Sequence, residues 1–435
     1  MKPAKFLWAL SAAAGLLLPA CRSAVTYPKE KIAEKLAAVC KNEYNLDVKA
    51  QVVKTTLGVQ VEIPGLIDEL RRYAASSPLP EEPPVVIEGK YTKEAFDFRM
   101  FTQGGAFVRV GKKREKEEEG RPKEPAEPMK KMQHVSTAIL RACLSTDAPL
   151  EFYRLIARDP GPDRRDVILS GHILDSKRVQ FYAISMGEMQ NRNEFTLRHQ
   201  PEEISRATVA YFVADLSRRP LQQLLSRYTA RSKRFGELLP MVMAVTMDLK
   251  GQVAGLKPEE WPARQIEKDV VLVYLPLKQV GGQGAYLFSV HLEQTPLQEE
   301  TGTLLAIEKL EDGALPAQYR KLGPPEEWSK YFYLEPLSLP EFMAEQIAKR
   351  VMSEYKLVNL KDKPTKKEPA EEPATIQDVT KSLMGAAAYV TSSYDFKQFR
   401  EVSVVDGLKG TRWVVPSAEL SLYRRRDPPE LKPIP

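Results

Sequence analysis

The stretch KEKIAEKLAAVCKNEYNLDVKAQVVKTTLGVQVEI, residues 29–63, decides the fold because its apolar residues change from helical to strand spacing within one run. Helical spacing over the first half predicts an amphipathic helix from Lys29 to Tyr44. Apolar residues then alternate with polar ones over 48–52 and 59–63, which predicts two short strands with one face each toward a core. The stretch therefore predicts an αββ unit.

Helices followed by paired apolar segments recur along the chain. Residues 344–355 align without a gap on 33–44, behind a capping box of Ser338 and Glu341. Internal duplication and chance similarity both remain open as explanations. Further units are predicted at 132–144 with 150–156 and 167–173, at 379–391 with 402–405 and 413–415, and as a hairpin at 270–276 and 285–292.

Short connections of this kind favour antiparallel sheets over a doubly wound parallel fold. We therefore predict an α+β protein made of several small helix-plus-antiparallel-strand (αββ-like) modules, with helices on one face of each sheet. Charged, proline-rich linkers are expected to join the modules, because they lack the apolar residues needed to offset the entropy of ordering.

The composition predicts eight segments. They are a leader at 1–20, an N-terminal α+β module at 21–110, a linker at 111–131, a central α+β module at 132–235, a β-rich module ending in a helix at 236–360, a second linker at 361–374, a C-terminal α+β unit at 375–423 and a flexible tail at 424–435. With 435 residues, of which 43% are hydrophobic, the chain can bury a substantial core.

The leader has the form of a secretory signal. Lys2 and Lys5 precede an apolar run over 6–20 that is too short to span a bilayer comfortably. The run ends in Leu18-Pro19-Ala20 before Cys21, and this end resembles the lipobox of bacterial lipoproteins, in which Pro19 is an unusual residue.

The resemblance implies that Cys21 is lipidated and becomes the first residue of the mature chain. Because Arg22 and Ser23 follow it instead of Asp, the resemblance favours the outer membrane, with the protein on the periplasmic face of the cell envelope. A soluble periplasmic product and an uncleaved anchor are the alternatives. No second apolar run approaches membrane-spanning length, so lipid is the only expected bilayer contact.

The other two cysteines, Cys40 and Cys143, each fall on the apolar stripe of a predicted helix. They are interpreted either as two buried thiols that behave as small hydrophobic residues, or as a disulfide bridge, which would persist outside the cytosol. The distance between the two helices decides between these alternatives, and the sequence does not supply it.

Motifs for catalysis or cofactors are not recognisable in the sequence. The best local imitation of a triad is Ser170-Gly171-His172 with Asp175, but neighbours on one strand or turn rarely meet as nucleophile, base and orienting group, so a strand end and helix cap are predicted there. The glycine turns lack the context of a phosphate-binding loop. No cofactor and no metal are expected, since the four histidines are far apart, at His134, His172, His199 and His291.

One basic stretch is a candidate contact surface for anionic lipid or an acidic partner. It lies on a predicted helix over 220–235 and just before it, and its leucines fit a core just as well. Its members are Arg218, Arg219, Arg227, Arg231, Lys233 and Arg234. Nucleic acid is not expected as a partner, because it is a poor candidate outside the cytosol and no aromatic residues alternate with the basic ones.

These observations favour a non-enzymatic lipoprotein of the envelope that binds or assembles other envelope proteins. The alternatives are a periplasmic hydrolase with a site assembled from distant residues, and a small-molecule-binding subunit. Either alternative needs a deep pocket with converging polar groups, whereas an assembly module needs shallow grooves, open strand edges or an exposed apolar patch.

Overall fold

The computed structural model describes residues 27–75, 86–101, 106–109, 126–216, 218–220, 223, 227, 242–243, 245, 257–277, 284–294, 300–310, 313–358, 372–425 and 427–434. The α-helices bounded within these residues are α1 Ile32–Tyr44, α2 Leu66–Ala75, α3 Glu127–Leu144, α4 Ile173–Gln180, α5 Met186–Arg192, α6 Pro201–Leu216, α7 Leu339–Met352 and α8 Ile376–Ser393.

The strands of the same residues form four sheets. They are β1 Val48–Val53, β2 Thr56–Glu62, β3 Val86–Thr92, β4 Ala95–Phe101, β5 Ala106–Arg109, β6 Phe152–Arg158, β7 Arg165–His172, β8 Glu194–His199, β9 Ala263–Glu267, β10 Val270–Pro276, β11 Ala285–Gln294, β12 Glu300–Leu310, β13 Tyr355–Val358, β14 Glu372–Ala374, β15 Glu401–Asp406 and β16 Arg412–Pro416. The prediction of an α+β fold with several small modules is confirmed.

The opening stretch folds as its periodicity predicts. Helix α1 ends where Asn45 adopts a left-handed conformation (φ 54°), and the N–H groups of Asn45 and Leu46 donate to the carbonyls of Lys41 and Cys40. Strands β1 and β2 then form a hairpin, with Val48 opposite Val61 and Val53 opposite Thr56. Leu36 and Cys40 of the helix are buried in the same core as Val59 of β2. This unit therefore buries the apolar stripe of its helix and one face of its hairpin, as expected.

Two such units share the largest sheet, whose strand order is β1-β2-β6-β7-β8. The second unit is α3 with the antiparallel pair β6 and β7, and it joins the first through a parallel pairing of β2 with β6. Helices α1, α2 and α3 cover one face of this sheet and bury a common core. The sheet is therefore mixed, which corrects the expectation of purely antiparallel sheets.

A four-stranded sheet of order β16-β15-β4-β3 repeats this construction. Helix α8 precedes the antiparallel pair β15 and β16, and β15 joins β4 in a second parallel pairing. Helices α7 and α8 supply the apolar residues that cover it, including Met343, Ile347 and Leu383. Helix α8 begins with a capping box in which Thr375 and Asp378 exchange hydrogen bonds.

The predicted hairpin forms in a third sheet of order β12-β11-β10-β9. Val270 lies opposite His291 and Pro276 opposite Ala285, so β10 and β11 agree with the segments predicted there. Helix α6 packs on one face of this sheet through Val209, Phe212 and Val213. The glycine-rich residues 281–283 between the two strands lie outside the described residues.

Helix α7 does not open another αββ hairpin, although its sequence aligns with α1. The strand that follows it, β13, pairs antiparallel with β5, and β14 pairs with the other edge of β5. Residues 372–374 were predicted as linker, but they form a strand because their backbone pairs with that of β5. Residues 127–131 were also predicted as linker, but they form the first turn of α3, where a proline occupies an early helical position that needs no N–H.

The sheets cross the predicted segment boundaries. β2 and β6 come from the 21–110 and 132–235 segments, and β4 and β15 come from the 21–110 and 375–423 segments. The N-terminal, central and C-terminal segments are therefore interleaved parts of shared sheets. The leader, with Cys21, lies outside the residues that the structure describes, and within the described residues no helix is long and apolar enough to cross a membrane.

Candidate functional site

The five-stranded sheet has a polar second face, opposite the face that α1, α2 and α3 cover. Tyr153 and Leu155 of β6 point into the core, so Arg154 between them lies on the second face. There its Nε donates a hydrogen bond to Ser170 Oγ of β7 at 3.0 Å, and its Nη2 lies 3.9 Å from Glu194 Oε2 of β8. Three adjacent strands thus bring polar groups together.

An extended segment, residues 331–338, runs over part of this face. Gln51 Nε2 of β1 donates to the carbonyl of Phe332 at 2.9 Å, and the N–H of Leu337 donates to Thr56 Oγ1 of β2 at 3.0 Å. Between these two contacts, Leu334 lies so close to Gly58 that a Cβ there would come within 2.5 Å of Leu334 Cδ2. Glycine in β2 therefore permits the close approach that holds the segment on the sheet.

Helix α7 continues from this segment across the same face. Phe342 packs edge-on against Phe152 of β6, with ring centroids 5.3 Å apart, and Lys349 Nζ donates to the carbonyl of Asn193 at 2.6 Å. Glu345 lies between them on the same side of the helix, since residues three and four apart share a face. Its carboxyl group is near enough to Glu194 for the charge of one to affect the pKa of the other. We call this region, formed by Arg154, Ser170, Glu194, Glu335, Glu345, Lys349 and Lys268, the polar cleft.

The cleft changes the protonation of Glu345. The side chain reaches solvent along the cleft, but the protein packed around it removes enough hydration to raise its pKa to about 8, and the nearby Glu194 carboxylate raises it further in the same direction. Arg154 and Lys268 oppose this rise. Burial also lowers the pKa of Lys349. At neutral pH, Glu345 therefore keeps its proton.

Glu335, in the extended segment 331–338, adds a third carboxyl group to the polar cleft. Its carboxylate lies 3.1 Å from Lys268 Nζ, in the turn between β9 and β10, and 4.0 Å from Arg154 Nη1. A carboxyl group that keeps its proton at neutral pH, as Glu345 does, can act as a general acid. Among the described residues, no three His, Cys, Asp or Glu side chains are placed to hold a metal ion.

The Ser170, His172 and Asp175 residues form no triad. Ser170 Oγ accepts from Arg154, while His172 Nδ1 caps α4 by accepting from the N–H of Leu174 at 3.1 Å. Burial lowers the pKa of His172 to about 4, so the ring is neutral and keeps this acceptor. The interpretation as a strand end and helix cap is therefore correct.

Asp175 belongs to a buried ionic network that joins α4 and α5 to α8. Its Oδ1 lies 2.9 Å from Arg192 Nη1 and 3.2 Å from Arg178 Nη1, and Tyr394 donates to its Oδ2. Arg192 also contacts Glu188 at 3.1 Å, and Tyr389 of α8 donates to Glu188 at 2.8 Å. Sequence reasoning missed this network, because its members are separated by about two hundred residues.

The cysteines and the other histidines have ordinary structural surroundings. Cys40 and Cys143 are free, buried thiols, and burial raises their pKa values to about 11 and about 12. The His134 ring stacks on Tyr44 at 4.5 Å, and His291 Nε2 lies 2.8 Å from Asp269 Oδ2. His199 lies at the exposed end of β8.

The structure describes only half of the predicted basic surface. Arg218, Arg219 and Arg227 are exposed, and Asp215 lies 3.0 Å from Arg219 Nε and 3.4 Å from Arg227 Nη1. Arg231, Lys233 and Arg234 lie outside the described residues. Asp215 therefore offsets part of the charge of this surface.

Strand β8 is an edge strand, among the strands that the structure describes, and lies beside the polar cleft. Among the strands that the structure describes, it is the last in its sheet and pairs only with β7. Leu197 near its centre is 42% exposed, and Glu194 at its start belongs to the cleft. A separate open cavity of about 560 Å³ lies between the start of α7 and residues 394–398.

No protein-family model, no curated protein and no solved structure matches this chain.

Proposed function

We propose that this protein is exported, is anchored through lipid on Cys21 to the periplasmic face of the outer membrane, and acts as a non-enzymatic module that binds other envelope proteins. The leader residues support the export and the anchor, through their resemblance to a lipobox. The position of β8 at the edge of its sheet, among the described strands, supports the binding role.

A partner could bind the edge of β8 through backbone hydrogen bonds and through side-chain contacts. An unpaired strand edge presents N–H and C=O groups that an extended segment can pair with, and this is a common mode of peptide recognition. Side chains of an added strand would alternate between the two sheet faces. Those on one face would lie beside Leu197 and those on the other would point toward the polar cleft, where Arg154, Glu335 and Lys349 supply charges of both signs.

A photoreactive residue tests this edge in intact cells. We expect such a residue at position 197 to cross-link a separate envelope protein, because a strand added to β8 lies within bonding distance of it. The matched control is position 408, in the turn between β15 and β16, where Leu408 is 63% exposed but belongs to a different sheet from β8. Mapping the adduct by mass spectrometry should find the partner's peptide in an extended segment. Equal cross-linking at both positions, or none at position 197, would contradict the proposal.

A hydrolase is the second candidate, and the raised pKa of Glu345, close to Glu194, Arg154 and Lys268, favours it. In such an enzyme, one carboxylate would take a proton from water while the other carboxyl group donates a proton to the carbonyl oxygen of the substrate. The Glu345→Gln variant discussed below tests whether Glu345 holds the proton that this chemistry needs.

A further inference from the structure

Exposed apolar side chains concentrate at one corner of the molecule. Among the described residues, four of the ten large hydrophobic side chains that remain exposed belong to the end of α3, to α4 and to the turn after α4. They are Leu144, Leu174, Phe181 and Tyr182, and the last two are 77% and 93% exposed. We call these four residues the apolar corner.

The corner is held in a fixed shape. The N–H of Phe181 donates to the carbonyl of Lys177 at 3.1 Å, and the N–H of Tyr182 donates to the carbonyl of Val179 at 3.0 Å. Tyr182 occupies the left-handed region with φ 57°, which is uncommon for an aromatic residue. The backbone therefore presents two aromatic rings at the tip of a closed turn, although burying them elsewhere would be favourable.

The described chain begins beside this corner. The N–H of Tyr27 donates to the carbonyl of Ser145 at 3.0 Å, and Thr146 Oγ1 donates to the carbonyl of Tyr27 at 2.7 Å. Ser145 directly follows Leu144. Helix α4 packs beside the end of α3, where Lys177 is close enough to Cys143 to influence its pKa.

The distance to the anchor is short. Six residue steps separate Cys21 from Tyr27, so even a fully extended chain reaches only about 20 Å. Helix α4 has eight residues and is about 12 Å long. If Cys21 carries lipid in the membrane, the end of α3 and the whole of α4 are therefore held near the bilayer surface.

We propose that the apolar corner lies in the headgroup region of the same membrane leaflet that holds the lipid on Cys21. This inference rests on the lipid anchor proposed above. Phe181 and Tyr182 supply the aromatic rings that are enriched at membrane–water interfaces. Exposed Lys29, Lys31 and Lys177 lie around the corner and fit anionic headgroups, whereas exposed Glu30 and Asp147 offset part of that charge, so the apolar contacts carry the interaction.

Tethering makes a weak contact of this kind effective. A few apolar side chains alone bind a bilayer weakly, but the anchor keeps the corner at high local concentration. The contact would fix the orientation of the folded part, and the open edge of β8 would then face a constant direction relative to the membrane.

Site-specific labelling tests the contact in the full lipidated chain. A Tyr182→Cys variant, labelled with an environment-sensitive fluorophore, is reconstituted in phosphatidylethanolamine–phosphatidylglycerol vesicles that contain nitroxide-labelled lipids. Cys40 and Cys143 are buried and resist labelling. Leu408→Cys is the matched control, because Leu408 is exposed and apolar but lies in a different turn. We expect quenching of the label at position 182 to be several-fold stronger than at position 408.

Equal quenching at the two positions in protein that stays on the vesicles would overturn the membrane contact and leave the anchor standing. Protein that does not remain on the vesicles would overturn the anchor and this inference together. Shielding of the label at position 182 only when a second protein is added would assign the corner to a protein partner and would also overturn the inference.

Discussion

The fold raises the pKa of Glu345, and the residues next to Glu345 in the sequence do not reveal this. An ordinary glutamate has a pKa of 4.5, but burial and the Glu194 carboxylate raise that of Glu345 to about 8. The carboxyl group of an unfolded chain therefore ionises above about pH 4.5, while the folded chain keeps its proton up to about pH 8. Its contribution to stability is fully present below pH 4.5 and is lost as the pH rises through 8.

We expect Glu345→Gln to be more stable than the wild type at pH 9, by about 1 kcal/mol, because Gln stays neutral and solvent in the cleft screens the original charge. At pH 4, where both side chains are neutral, the two proteins should have similar free energies of unfolding. Urea unfolding at both pH values measures the difference. Glu430→Gln, at an exposed carboxyl group in the C-terminal segment, is the control and should show no such pH dependence. A Glu345→Gln protein that follows the wild type at both pH values would argue against the raised pKa of Glu345.

Residues with local roles could be predicted from the sequence, and residues with distant partners could not. The cap formed by His172 depends on a neighbour two positions away, and the burial of Cys40 and Cys143 follows from helical periodicity. Glu345 looks like any polar residue on a helix, since nothing in the sequence shows that Glu194 lies opposite it. The polar cleft was missed for this reason.

Elements with clear periodicity were predicted well, but their pairing across units was not. The αββ units that begin with α1, α3 and α8 follow from spacing within about forty residues. The parallel pairings of β2 with β6 and of β4 with β15 join strands from different units, so they depend on which apolar faces fit together. Edge strand β8 and short helices α4 and α5 have no strong periodicity, because their residues serve the polar cleft and the buried network.

The contact of α4 and α5 with α8 depends on Asp175. This carboxylate is 1% exposed and pairs with Arg192, which is 5% exposed. We expect Asp175→Asn to lower the free energy of unfolding by about 3 kcal/mol, because it removes one of the two carboxylates, Asp175 and Glu188, that pair with the buried Arg192 guanidinium. Chemical denaturation provides the measurement. Asp395→Asn, at an exposed residue paired with Lys397, should change stability by less than about 0.5 kcal/mol. A loss of the same small size for Asp175→Asn would show that the network does not hold these helices together.

The molecule as a whole is interleaved, and both predicted linkers attach to the same small sheet. The first linker follows β5, and the second connects β13 to β14, which pair with the two edges of β5. Composition correctly marks such charged stretches as poor in core residues, but it does not show that the strands beside them meet. The predicted boundaries therefore follow changes in composition along the chain. They do not coincide with the sheets, which combine strands from different segments.

The proposed anchor at Cys21 would give the proposed binding edge and the apolar corner their place in the cell. We expect the mature chain, isolated from the envelope of a bacterium with two membranes, to begin at Cys21 and to carry acyl chains. A Cys21→Ser variant should lose metabolic lipid labelling and retain its leader. Intact mass and N-terminal peptide analysis of both proteins is the most direct measurement. Wild-type protein that still begins at Met1, bears no lipid and fractionates with soluble cytosolic proteins would contradict the account.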